Sequence, residues 1–64
     1  MKREIGTFTW ENGSVNDGII SVLNDWGIDW RRTASGEIFA QPFECKVSAE
    51  GAGIGREYTV FMNF

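Results

Sequence analysis

The order of apolar and polar residues along the 64-residue chain separates one helical stretch from several alternating ones. Residues 14–27 carry the helical period. At about 100° per residue, Val15, Ile19, Val22, Leu23 and Trp26 gather on one face. Asp17, Ser21, Asn24 and Asp25 fall on the opposite, solvated face. Ser14 is placed to cap the start, and Asp17 three residues on makes an acidic variant of the capping box. Gly27 fits the left-handed position after the last turn, with apolar Ile28 behind it. Gly18 inside the stretch costs about 1 kcal/mol relative to Ala, which points to a close approach to the sheet. Ile20 lies off the stripe, as a flank contact or an exposed contact residue.

The remaining segments alternate with period two, the mark of strands. Residues 4–10 put Gly6, Phe8 and Trp10 on one side and Ile5, Thr7 and Thr9 on the other. Glu11-Asn12-Gly13 is turn chemistry leading to the Ser14 cap. Residues 28–33 place Ile28 with Trp30, Ala34-Ser35-Gly36 forms a tight turn, and residues 37–41 return. Pro42 lacks an amide donor and belongs at a strand end, an edge or a bulge. Phe43, Cys45, Val47 and Ala49 share a face, and residues 56–64 alternate Tyr58, Val60, Met62 and Phe64 with polar positions and Phe61. One helix with one apolar stripe covers only one face of a sheet. These patterns predict an α+β fold in a single two-layer domain over residues 1–64. One helix packs on an antiparallel sheet of three to five strands, in β-α-β-β-β order. The expected inner layer includes Phe8, Trp10, Ile38, Cys45, Val47, Tyr58, Val60 and Met62.

Composition narrows the setting. A lone Cys45 forms no internal disulfide, which fits a reducing compartment. No apolar run approaches the roughly 18 residues of a membrane span, and no hydrophobic signal core follows Met1-Lys2-Arg3. A soluble cytoplasmic protein without a membrane partner is expected, with the monomer favoured. Net charge is −3, distributed unevenly. Residues 4–30 hold Glu4, Glu11, Asp17, Asp25 and Asp29 and no lysine or arginine. All six basic residues (Lys2, Arg3, Arg31, Arg32, Lys46 and Arg56) lie outside that span.

Candidate chemistry is sparse. The absence of histidine removes the usual general base and the commonest zinc ligand. Asp17, Asp25 and Asp29 match no calcium-loop spacing. Gly51-Ala52-Gly53-Ile54-Gly55 resembles a phosphate loop only loosely, because it joins two predicted strands where such loops lead into a helix. No enzyme, no metal and no cofactor are expected. Trp30-Arg31-Arg32 is the best case for nucleic-acid contact, by stacking beside positive charge. Adjacent arginines on a strand point to opposite faces, however, and net acidity opposes the counterion-release term. Whether Trp30 is core or exposed is left open by the pattern.

The acidic surface is the stronger candidate. Carboxylates along an exposed helix and its flanks imitate the phosphates of a duplex and pair with lysine and arginine in a basic groove. Glu11, Asp17, Asp25 and Asp29 are the expected partner-binding residues, with Asn24, Asn16 and Ile20 as neighbours. Asp25 opposes the helix macrodipole, a placement that serves binding better than stability.

A single α+β domain, an acid-only span and no catalytic set make the chain resemble the small acidic anti-CRISPR proteins that phages encode. The resemblance is one of style over the whole chain and carries no diagnostic motif. It implies a non-enzymatic, stoichiometric inhibitor that binds a CRISPR effector complex in a bacterial host and blocks access to target DNA. The alternatives are a small nucleic-acid-binding protein using Trp30, Arg31 and Arg32, and a phage structural or assembly subunit that pairs through an exposed strand edge.

Overall fold

The computed structural model describes residues 1–10, 14–51 and 56–64. In chain order these form β1 (Lys2–Thr9), α1 (Val15–Asp25), β2 (Trp30–Arg32), β3 (Ile38–Ala40), β4 (Cys45–Gly51) and β5 (Glu57–Asn63). The strands make one sheet in the order β1-β5-β4-β3-β2, and every neighbouring pair is antiparallel. The fold is therefore α+β, with four strands after the helix where the β-α-β-β-β order has three. β2 to β5 meander across the sheet, and β1 closes against β5. Four successive antiparallel pairings leave β1 and β2 pointing the same way at opposite edges. α1 is the return connection between them, laid over one face. No helix among the described residues is long and apolar enough to cross a membrane.

Both helix ends follow from the local sequence. Ser14 is the N-cap, and its hydroxyl accepts from the Asn16 amide at 3.1 Å. The reciprocal half of a capping box is missing among the described residues, since the Asp17 carboxylate makes no return bond. At the other end Gly27 has φ 71°; its amide donates to the Asn24 carbonyl at 3.0 Å and the Ile28 amide to Leu23 at 2.9 Å. That pair of bonds is the Schellman motif. The stripe buries Ile19, Val22 and Leu23, but Trp26 is the C-cap residue and stays 64% exposed. Its indole keeps the direction of the stripe, with Nε1 near Gly6 of β1, but lies at the margin of the core.

The core lies between α1 and the sheet. Leu23, Ile38 and Val60 are fully enclosed, with Ile5, Ala40, Cys45 and Val47 buried around them. Of the expected inner layer, Phe8, Trp10, Tyr58 and Met62 are half-buried. Ile5, expected on the outer face, is buried because the β1–β5 register shifts between Glu4 and Gly6. Unbroken alternation would place Glu4 on the same face as Gly6 and Phe8; the bulge lets Glu4 remain outside while all three apolar positions turn inward. Phe43 was expected beside Cys45 and is 80% exposed, because residues 41–44 form a turn in which Glu44 has φ 53°. The expected turn at Glu11-Asn12-Gly13 and most of the glycine-rich connection, residues 52–55, lie outside the described residues.

Gly18 is where the helix meets β1. A methyl group built there would sit 2.2–2.6 Å from three atoms of the Phe8 ring, which itself stacks on Tyr58 with centroids 5.4 Å apart. Substituting Gly18→Ala removes a helix penalty of about 1 kcal/mol and introduces an overlap that typically costs about 1–3 kcal/mol. The variant is expected to be less stable than the parent in urea unfolding. A higher midpoint would mean that α1 rides further from β1 than these contacts require.

Candidate functional site

Strand register sends each side chain to the helix-covered face or to the bare one. Ile38 pairs with Val47 and Val47 with Met62 on the covered side. Phe39 pairs with Lys46, Lys46 with Asn63, and Asn63 with Lys2 on the bare side. A single helix leaves this second face to water; three of its acids are paired with cations there, while Glu4 and Glu57 on the same face have no ion-pair partner among the described residues. Lys2 pairs with Glu50 and lies 4.5 Å from the centre of the Phe61 ring. Arg31 forks onto Glu44, with Nε and Nη2 donating at 3.2 and 2.7 Å, and its guanidinium lies 5.0 Å from the centre of the Phe39 ring. Lys46 pairs with Glu37 at 3.2 Å. The partners are about half exposed, so each pair adds little stability. Their effect is to hold three cations and three acids in mutual compensation over two aromatic rings.

The helix side differs. Asp17, Asp25 and Asp29 are exposed, and among the described residues none of their carboxylates has an ion-pair or hydrogen-bond partner. Asp17 stands in the first turn and Asp25 in the last, a separation of about 12 Å along the axis. Asp29 joins Asp25 at the far end, where its carbonyl accepts from the Gln41 amide at 2.9 Å. Glu11 lies outside the described residues. Asn24 belongs to the same end, but its Oδ1 accepts from Trp30 Nε1 at 3.1 Å and so holds that indole in place. Asn16 is likewise engaged, donating to the Gly36 carbonyl at 2.7 Å and tying the helix start to the β2–β3 turn. Ile20 is half-buried against the core and acts as a flank contact. The structure thus brings Asp25, Asp29 and Asn24 to one end, leaves Asp17 at the other, and gives Ile20 a packing role.

Trp30, Arg31 and Arg32 do not form one cluster. Trp30 lies on the helix side opposite Ala40, and Arg32 opposite Ile38 on that same side, while Arg31 is bound to Glu44 across the bare face. Trp26, 64% exposed, was not among the expected contact residues; Trp30 was expected only in the nucleic-acid alternative. The available signal was Gly27, which puts Trp26 at the last position of the stripe, beyond the buried turn of Val22 and Leu23. Among the described residues, no three histidine, cysteine or acidic side chains converge to hold a metal. No protein family, curated protein or solved structure matches the chain.

The Arg31 fork, and then the Gln41 amide at 3.0 Å, hold the Glu44 carboxyl below its ordinary value. A carboxyl lowered in the folded state binds fewer protons there than in the unfolded chain. Its stabilising contribution is present above the ordinary carboxylate value and is lost as pH falls through the lowered one. Unfolding measured from neutral pH downward should show a shallower acid-side decline in Glu44→Gln than in the parent. The effect is small because the pair is exposed, and it should shrink further in high salt.

Proposed function

We propose that this protein is a non-enzymatic protein-binding inhibitor. Its helix-side carboxylates take the place of nucleic-acid phosphates in a basic groove of the partner. One observation carries the proposal: Asp17, Asp25 and Asp29 are uncompensated among the described residues, while Lys2, Arg31 and Lys46 pair with Glu50, Glu44 and Glu37 across the opposite face. Arg3 and Arg32 share the helix-covered face, so these carboxylates make a local acidic stripe along α1 that favours a positive surface, and not a wholly negative side. The resemblance to anti-CRISPR proteins makes an RNA-guided CRISPR effector complex the first partner to test.

The paired substitution Asp17→Lys with Asp25→Lys separates binding from folding. Reversal at Asp17 loses about 0.3–1 kcal/mol of favourable interaction with the helix dipole, and reversal at Asp25 regains a similar amount. Stability should therefore change little. In gel-shift assays with purified effector complexes and their target DNA, the parent protein should block DNA binding at near-stoichiometric amounts. The double variant should fail to do so. Inhibition unchanged in the double variant would exclude charge mimicry, and micromolar binding of bare DNA or RNA by the protein itself would replace inhibition with direct nucleic-acid recognition.

A further inference from the structure

The sheet ends in two unlike edges. β2 is three residues long and carries Arg31 and Arg32, whereas β1 runs for eight residues along the other margin. In an antiparallel pair, successive residues alternate between turning their N–H and C=O towards the neighbouring strand and turning them away. The ladder to β5 fixes which do so here. Met1 exchanges both backbone bonds with Phe64 at 2.8 Å, and the Trp10 amide donates to the Arg56 carbonyl at 2.7 Å. Met1 and Arg3 therefore face inward at one end, and Gly6, Phe8 and Trp10 at the other, with the register shift between Glu4 and Gly6 separating them. Lys2, Glu4, Thr7 and Thr9 are left with their backbone groups directed outward. All four residues are exposed, and none of these groups has a hydrogen-bond partner among the described residues.

We propose that this edge joins a second copy of the chain, the two β1 strands pairing antiparallel about a two-fold axis that passes between Ile5 and Gly6. Such a dimer is independent of the inhibitor proposal. An outward-facing residue exchanges bonds only with another outward-facing one, and the set on β1 is symmetric about the middle of the strand. The axis sets Lys2 opposite Thr9 of the copy and Glu4 opposite Thr7 of the copy, so every outward group finds a partner. The bulge selects the same occupant. It leaves an extra residue between Glu4 and Thr7, so a regular strand in step with one half of the edge is out of step with the other. A second β1 carries its own extra residue at the same level. Charges and bulges ordinarily blunt an edge against pairing, but here each charged residue meets an uncharged one. The helix leaves the edge clear, because α1 lies over the interior of the sheet with Val60 of β5 fully enclosed beneath it.

Sedimentation equilibrium of the full chain tests this from about 1 µM to about 1 mM, the span from moderate to weak association. The parent should show a monomer–dimer equilibrium within that range. Thr7→Pro deletes an outward N–H and spares the ladder to β5, a change that edge strands tolerate. It should weaken the dimer at least about ten-fold, since the axis removes two bonds at once. Thr7→Lys and Thr9→Lys carry the same net charge and should act in opposite directions. The first places a lysine opposite Glu4 and should tighten the dimer about three-fold; the second places one opposite Lys2 and should loosen it by a similar factor. Circular dichroism checks that each variant is folded, and the two lysine variants decide the matter if proline unfolds the chain. A parent that stays monomeric throughout, a folded Thr7→Pro that dimerises as the parent does, or lysine variants that shift together would overturn the pairing.

Discussion

A single eleven-residue helix covers one face of a five-stranded sheet, and most other features answer to that constraint. The covered face can be apolar because Ile19, Val22 and Leu23 supply a lid. The uncovered face has to be compatible with water while still holding its strands together. Phe39 and Phe61 meet that demand beneath Arg31 and Lys2, whose charges are in turn matched by Glu44 and Glu50. Three of the basic side chains are thereby committed to the bare face. Asp17, Asp25 and Asp29 on the helix side have no ion-pair partner among the described residues, and neither have Arg3 and Arg32 on that face or Glu4 and Glu57 on the other.

The close seat of the helix has the same origin. With one lid for a broad sheet, separation between the layers is expensive in exposed apolar area. Gly18 brings the helix backbone down onto the Phe8 ring, and Gly6 admits Val22 and the edge of Trp26. At these two positions the absence of a β-carbon sets the distance between layers. Both lie on the β1 side, so the helix is anchored there by contact. On the β2 side it is anchored by the hydrogen bonds of Asn16 and Asn24.

What could be read from the sequence was what neighbouring residues decide. The cap at Ser14, the stop at Gly27 and the alternation in β4 and β5 each depend on a few contiguous positions, and each appears where expected. The bulge at Ile5 was hidden because it arises from pairing with Phe61 and Val60, far away in the chain. Phe43 misled because its alternation with Cys45 is intact in sequence, and only the positive φ of Glu44 breaks it in space. The candidate site was legible as a set of acids but not as a surface. Whether a carboxylate is compensated depends on where the strands carry the cations, which required the register. Trp26 fell between the two cases, directed towards Gly6 as its periodicity implies but left 64% exposed at the end of the helix.

The ladder that joins β1 to β5 has a consequence for how the domain is made. Thr9 pairs with Glu57 and Lys2 with Asn63, so the first strand waits for the last before either has its full set of backbone partners. Val60, fully enclosed beneath the helix, belongs to that last strand. Closing so long a loop is entropically demanding, and folds dominated by such distant pairings form slowly. During synthesis β2, β3 and β4 can assemble as a meander while α1 has nowhere complete to lay its apolar stripe. The native state thus becomes accessible only when β5 has left the ribosome, and until then the nascent chain carries an unpaired first strand that neighbouring chains or chaperones can engage.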